Sequence, residues 1–366
     1  MTSKLKTLRP TYAEIDLKAF GQNLETARKL AGTDVIAITK ADAYGHGELE
    51  VCTYAYKNHN CNKFGVATIL EAMILREHLG SSVTIMVLGY VDEMFYKEAV
   101  DNNIILTIGD DETAFKYDRY LKKHNLTADV TVKINTGMNR LGYRTDMNWF
   151  EFFSKYSCLR PIHVMSHLSS SDSDREYTEW QCNEFIKFLD TNKIKCHTSM
   201  LNSAGIAGYD NSRFSLARPG IMLYGYVDGG FDVKLEKVMR IYSRIVQVQR
   251  VKQGEAVSYN RRYFAKQDMN VGVVPIGYAD GYPRCLTNKS HMFVDGVKCP
   301  VVGTVCMDML MVDLTGVDLN GPLVVEILGD HIDANELAGF AGTISYEILT
   351  GIQNRIPRIY VQADRC

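Results

Sequence analysis

Eight short β-branched runs, spaced by amphipathic segments, constrain this chain most. The runs are Val35–Thr39, Phe64–Thr68, Val83–Gly89, Ile104–Gly109, Val130–Asn135, Ile162–His167, His197–Asn202 and Leu216–Ile221. Segments such as Ile69–Leu79 and Asp111–His124 alternate with them in helical period. An earlier segment, Asp16–Ala31, puts Leu17, Phe20, Leu24, Ala27 and Leu30 on one face, with Asp16 as its N-cap. Eight strand–helix alternations predict a (β/α)8 barrel, an α/β architecture in which chemistry gathers at the carboxyl ends of the strands. Lys40, Arg140, His167, Ser203 and Gly220 all fall at or just past such ends.

The texture changes after about Gly229. Strand-like runs now follow one another: Arg240–Val251, Asn270–Ile276, His291–Val294, Lys298–Val305, Leu310–Leu314 and Leu323–Leu328. Asp295-Gly296 reads as a hairpin turn. Helical patterns at Asp333–Ala341 and Ser345–Gly351 interrupt. The expected division is a barrel over 12–234 and a mostly β domain over 235–366, with 1–11 joining the second.

Composition excludes several classes. Forty-one basic residues face 43 acidic ones, so no general nucleic-acid or acidic-lipid surface is implied. No apolar run is long enough to span a membrane, and no signal peptide is visible. Lys4, Lys6 and Arg9 read as a solvated leader. The nine cysteines are scattered without a CxxC pair, which argues against a disulfide framework or a zinc site. His163 and His167 have ligand-like spacing, but IHVMSH reads as a strand with no further ligand following.

A lysine ending an apolar strand can lose its proton and attack a carbonyl. Lys40 ends such a strand, and the glycines at 45 and 47 beyond it permit close backbone approach, with the Tyr44 phenol beside them. Arg140 in KINTGMNRLG offers a fork for a carboxylate. Ser203, and Gly220 and Ile221 at the eighth strand, occupy the region where barrels bind phosphate. Arg218 is a permanent cation and needs an acceptor if buried. In the second domain Tyr259 (AVSY), GYADGYPR and Cys306–Met309 stand out.

The order KADAYGHG, NTGMNRLG, SHLSSSD, NSAG, ARPGIMLYG, AVSY, GYADGY, GTVCMDM, TISYE and RIPR resembles the alanine racemases over essentially the whole chain. The resemblance implies a cofactor, pyridoxal 5'-phosphate, held by Lys40, which also serves as one catalytic base. It implies Tyr259 as the opposed base, supplied across a homodimer interface. Tyr44, Ser203, Gly220 and Ile221 would bind the phosphate. Arg218 would face the pyridine nitrogen, with His167 linking it toward Tyr259. Arg140, Met307 and Asp308 would hold the substrate carboxylate. Tyr278 would line the entrance, with Arg284 and Asp172 further out. Lys133 matches a position that is carbamylated in some members.

The departures carry the specificity argument. Asn354 stands where these enzymes usually have tyrosine, as in the serine racemases of vancomycin-resistance clusters. The smaller amide leaves room at the substrate β-carbon and can bond a hydroxyl. The leading expectation is therefore an isomerase that racemises serine and alanine, supplying D-serine for peptidoglycan precursors in vancomycin resistance. The alternative is a plain alanine racemase; a non-catalytic pyridoxal phosphate carrier is a third reading, disfavoured by the attached β domain. The expected location is the cytoplasm, with a membrane tether only if an amino-terminal membrane domain was removed; the chain itself is expected to contact neither membrane nor nucleic acid. Asp42, Asn139, Asn260 and Thr304 also depart from the family pattern.

Overall fold

The computed structural model describes residues 9–362. They divide into two compact units, one of Phe20–Ala43 and Glu48–Glu236, the other of the chain up to Ala19, Tyr44–Gly47 and the chain from Lys237 on. Lys4 and Lys6 lie outside the described residues.

The first unit is the expected barrel. Its strands are all parallel: Asp34–Val35 with Ala37–Ile38, then Lys63–Val66, Thr84–Val87, Ile104–Ile108, Ala128–Asn135, Leu159–Met165, His197–Ser199 and Leu216–Ala217. The first position is split at Ile36, and the split closes the ring. Ile36 N–H donates to the Ala217 carbonyl at 2.8 Å and Ile38 N–H to that of Pro219 at 3.0 Å, while Thr39 N–H donates to Gly65 at 3.0 Å. One stretch of chain thus bonds to its neighbours on both sides, and no edge is left. The buried residues Val35, Phe64, Ile85, Ile108, Val130, Val132 and Val164 fill the interior and the strand–helix layer.

Helix Leu17–Ala31 begins after Asp16, whose Oδ1 accepts from the N–H groups of Lys18 and Ala19, both at 3.1 Å. Its Asn23, 1% exposed, ties this helix to the end of the barrel. The Asn23 Nδ2 donates to the carbonyls of Leu223 and Glu236, and its Oδ1 accepts from Glu236 N–H at 2.8 Å.

The second unit is mostly β. A six-stranded sheet runs Val297–Pro300, His291–Val294, Val324–Leu328, Met239–Arg244, Tyr12–Asp16, Arg358–Val361. A three-stranded sheet joins Gln247–Val251, Met269–Val274 and Leu310–Asp313, and Ala256–Val257 pairs with Tyr263–Phe264. Asp295 and Gly296 both take positive φ, 47° and 80°, as the predicted two-residue hairpin requires.

Three expectations are corrected. The barrel does not begin at residue 12: Tyr12–Asp16 lies between Met239–Arg244 and Arg358–Val361, because its backbone completes that sheet. The run Arg240–Val251 is two strands in two sheets, broken at Ile245 and Val246, whose N–H groups bond Leu323 and Val273. Arg9 is no solvated residue: its guanidinium forks onto Asp280, wholly buried, at 2.6 and 2.7 Å.

Asn23→Leu keeps the branched outline but strands one buried and two part-buried backbone groups. The barrel unit should lose about 2–4 kcal/mol in chemical denaturation, the scale expected for unsatisfied buried polar groups. A loss under about 0.5 kcal/mol would mean water replaces the amide.

Candidate active site

Lys40 follows the first barrel strand and opens a turn of unusual handedness. Ala41, Asp42, Ala43 and Tyr44 all have φ between 51° and 55°. A left-handed helical turn of non-glycine residues costs roughly 1–2 kcal/mol per residue. Such strain persists only where the surroundings impose it. Here Glu71 supplies an anchor. Its Oε1 accepts from Ala41 N–H at 2.8 Å, and its Oε2 accepts from Ala67 and Thr68 N–H at 2.8 and 2.9 Å. The same carboxylate completes the capping box of helix Ile69–Leu79 with Thr68. At the far end Asp42 Oδ1 accepts from Glu48 N–H at 2.8 Å, which starts the next helix.

The barrel brings the predicted cations together. Lys40 is held below the usual lysine range by burial and by Arg140, against the opposing pull of Glu71. Lys133 is 7% exposed. Burial, then Arg140, Arg218 and Lys40, push its ammonium down to about 8. Arg218 is buried and pulled down to about 9 by burial alone, which leaves it a cation at neutral pH. Its guanidinium donates to Ser199 Oγ, to the Ser166 and Met200 carbonyls, and to His167 Nδ1 at 3.2 Å. None of these four acceptors is a carboxylate. His167 is driven well below its ordinary value by burial and then by Arg218, so it is neutral, with Nδ1 accepting and the proton on Nε2. A buried group of cations without matching carboxylates suits an anionic ligand. Ser203 Oγ accepts from the N–H groups of Gly220 at 3.0 Å and Met222 at 3.2 Å, so the loops after the seventh and eighth strands are locked to each other around Ile221.

The second unit gathers the remaining motifs. Tyr259 is 68% exposed and sits among left-handed residues, Ser258, Asn260 and Arg261. Thr304, buried, donates to the Tyr259 carbonyl at 2.8 Å and accepts at its own carbonyl from Ser258 Oγ at 2.7 Å. Tyr278 N–H and Ala279 N–H bond the carbonyls of Cys306 and Met307, both at 3.0 Å, so the GYADGY and CMDM loops form one surface. A Cβ on Gly277 would meet those two carbonyl oxygens at 2.3 Å. Asp308 pairs with Arg355 at 2.7 Å, next to exposed Asn354. Tyr44 also belongs here: buried, its phenol pushed up by burial, its ring 6.0 Å from that of Tyr346. Arg358 reaches the Gly45 carbonyl with Nε and Nη2 at 3.1 and 3.0 Å, which ties the RIPR segment to AYGHG.

Three departures acquire physical accounts. Asn139 and Asn260 stand at φ 57° and 62°, where asparagine is the residue best tolerated after glycine. Thr304 fixes the backbone of Tyr259 by its hydroxyl. Reading the sequence missed Glu71, although Thr68-x-x-Glu71 is a visible capping box. It also read His163 only as half of a metal-like pair; that side chain bonds Ser199 and Thr131 instead.

The model for the alanine racemase N-terminal domain matches residues 15–228, and that for the alanine racemase C-terminal domain matches 238–360. The chain belongs to the alanine racemase family. It is 36% identical to the alanine racemase of Halothermothrix orenii over 96% of this chain and 97% of that one. Identity to alanine racemase 1 of Clostridium acetobutylicum is 34%, over 97% and 96%. Among solved structures, the alanine racemase of Clostridium difficile superposes with a TM-score of 0.90 at 30% identity, covering 97% of both chains. That of Bartonella henselae, with covalently bound pyridoxal phosphate, gives 0.87 at 29% identity, over 96% of this chain and 99% of that one.

Between pH about 8 and 10.5 the unfolded chain holds the Lys133 proton that the folded chain has released. Stability from this group therefore rises with pH through that window. In urea denaturation in CO2-free buffer, native protein should gain stability relative to Lys133→Met from pH 8 to pH 10; an unchanged difference would refute the depressed amine.

Proposed function

We propose that this protein is a pyridoxal-phosphate-dependent racemase acting on alanine, with Lys40 and Tyr259 as opposed bases. The observation that carries the reading is the lysine with a depressed pKa at the mouth of a barrel whose other cations lack carboxylate partners. Such a mouth fits a phosphate and a substrate carboxylate, and a lysine that gives up its proton more readily than usual fits a carbonyl. The sequence alone places serine first. Alanine takes that place, because the family models and these relatives are all alanine racemases. Serine as a second substrate, and a part in vancomycin resistance or peptidoglycan supply, rest on Asn354 alone.

When bound, pyridoxal phosphate provides the electron sink that makes a substrate Cα–H acidic. The residues of this chain do the rest. Ser203, Gly220 and Ile221, with Tyr44, would hold the phosphate. Arg218, a cation that keeps its protons, would face the ring nitrogen and leave it unprotonated, which favours proton exchange over side reactions. Arg140, Met307 and Asp308 would orient the substrate carboxylate. The Lys40 amine would take the proton from one face of Cα, and the partner's Tyr259 would return one to the other. An exposed Tyr259 on an apolar groove of about 430 Å3, lined by Val251, Val257, Val273, Met309 and Met311, supports its use by a second copy of the chain. Among the described residues no helix is long and apolar enough to cross a membrane.

Borohydride reduction in the presence of pyridoxal phosphate should label Lys40 and no other lysine. Tyr259→Phe should retain the bound cofactor's absorbance and lose racemisation of L-alanine by about 10²–10⁴-fold, the range for a lost general base; near-normal turnover would assign the second base elsewhere.

Asn354→Tyr tests specificity. If the amide admits serine, native protein should turn over L-serine measurably and the variant should lower the serine-to-alanine ratio of kcat/KM about tenfold or more. An unchanged ratio would remove Asn354 from the argument.

A further inference from the structure

Inside the barrel a row of hydrogen bonds runs sideways across adjacent strands, away from Arg218. Arg218 Nη1 donates to Ser199 Oγ. Ser199 Oγ lies 2.8 Å from His163 Nε2, and His163 Nδ1 lies 3.3 Å from Thr131 Oγ1. Thr131 Oγ1 in turn points at Met86 Sδ, 4.0 Å away. Thr131, His163 and Ser199 are each 0% exposed, and Arg218 is 4% exposed. The register supports the row, since Thr131 pairs directly with His163 on the neighbouring strand.

The direction of donation follows from the charge at one end. A guanidinium only donates, so Ser199 Oγ accepts from it. The single proton of that hydroxyl then needs an acceptor, and His163 Nε2 is within reach. His163 must therefore carry its own proton on Nδ1 and give it to Thr131. An imidazolium would break this order and add a second buried positive charge beside Arg218. Burial, Arg218 and His197 push His163 down to about 3, in keeping with a neutral ring. Every member has a partner, and each bond aligns the next.

We infer that His163, acting through Ser199, is a positioning residue for Arg218: it fixes the hydroxyl so that its lone pair, not its proton, faces the guanidinium, and so sets the angle at which Arg218 meets the pyridine nitrogen. This rests on the assignment of Arg218 to the cofactor ring. With an apolar side chain at 163, the Ser199 proton loses its acceptor and the hydroxyl is free to turn, so its lone pair is no longer held on the cation. The guanidinium then loses one of its fixed contacts. Because placement errors below 1 Å are costly at a reacting centre, turnover suffers more than substrate binding.

The test has four arms. In the native protein, 15N shifts of the His163 ring should report the neutral Nδ1–H form throughout pH 5.5–9; a titration within that range overturns the inference. His163→Leu and Ser199→Ala should each lower kcat for L-alanine about tenfold with KM within about twofold, and the double variant should be no worse than Ser199→Ala. Full additivity overturns it. His163→Gln, which can accept from Ser199 and donate to Thr131, should recover most of the loss; a Gln variant as poor as Leu overturns it, and this arm and the NMR arm decide the matter if the Leu variant does not fold. Pyridoxal phosphate binding to the cofactor-free protein should weaken, and the bound absorbance shift, in Arg218→Ala and to a smaller extent in His163→Leu. If Arg218→Ala changes neither, the assignment of Arg218 to the ring falls; if Arg218→Ala changes both and His163→Leu neither, only the relay falls.

Discussion

Closure of the barrel through its split first strand is the constraint on which the rest of the barrel site depends. The stretch from Ile36 to Thr39 bonds the eighth strand on one side and the second on the other. Lys40 is the next residue. The closure therefore sets the lysine at the same barrel mouth as the end of the eighth strand, although the two are far apart in the sequence. Strands five and six add Lys133 and His167 from the opposite arc. A lysine that would be ordinary at the end of an open sheet becomes one of several cations held at one mouth.

That concentration of positive charge has direct consequences. Lys40, Lys133 and His167 are all shifted toward their neutral forms by burial and then by neighbouring cations, Arg140 among them in each case, while Arg218 stays charged. The mouth thus combines proton-accepting amines with a fixed cation. Both are what an anionic carbonyl cofactor and an amino-acid carboxylate call for. Burying such charges without counter-ions lowers stability, so the arrangement reads as an accommodation to a ligand rather than as a structural ion-pair network.

Backbone strain gathers at the candidate site segments. The turn Ala41–Tyr44 and the residues around Tyr259 account for seven of the positive-φ non-glycine positions among the described residues. Both segments are anchored by identifiable bonds: Glu71 at Ala41, Asp42 at Glu48, and Thr304 at Ser258 and Tyr259. These anchors are ordinary residues, and their importance comes only from what they bond.

The sequence by itself determined the barrel and the β-rich character of the second domain, and it named the candidate site residues. Periodicity of two against 3.6 survives without tertiary information, and motifs such as KADAYGHG keep reactive groups close in sequence. It also exposed the Asx and glycine punctuation of the Asp295-Gly296 hairpin and the cap at Asp16. The features it left undetermined depend on partners distant in sequence. Tyr12–Asp16 reads as any short strand, and only pairing with Met239–Arg244 and Arg358–Val361 assigns it to the β unit. Arg9 reads as a surface charge until it meets buried Asp280. His163 and His167 look like a pair because they are four apart. The fold gives them different partners, since a strand of that length carries them to different depths of the barrel, one beside Ser199 and Thr131, the other beside Arg218. Spacing along a chain reports which face a residue can occupy; the partners it meets at that face are decided by the strands that arrive from elsewhere.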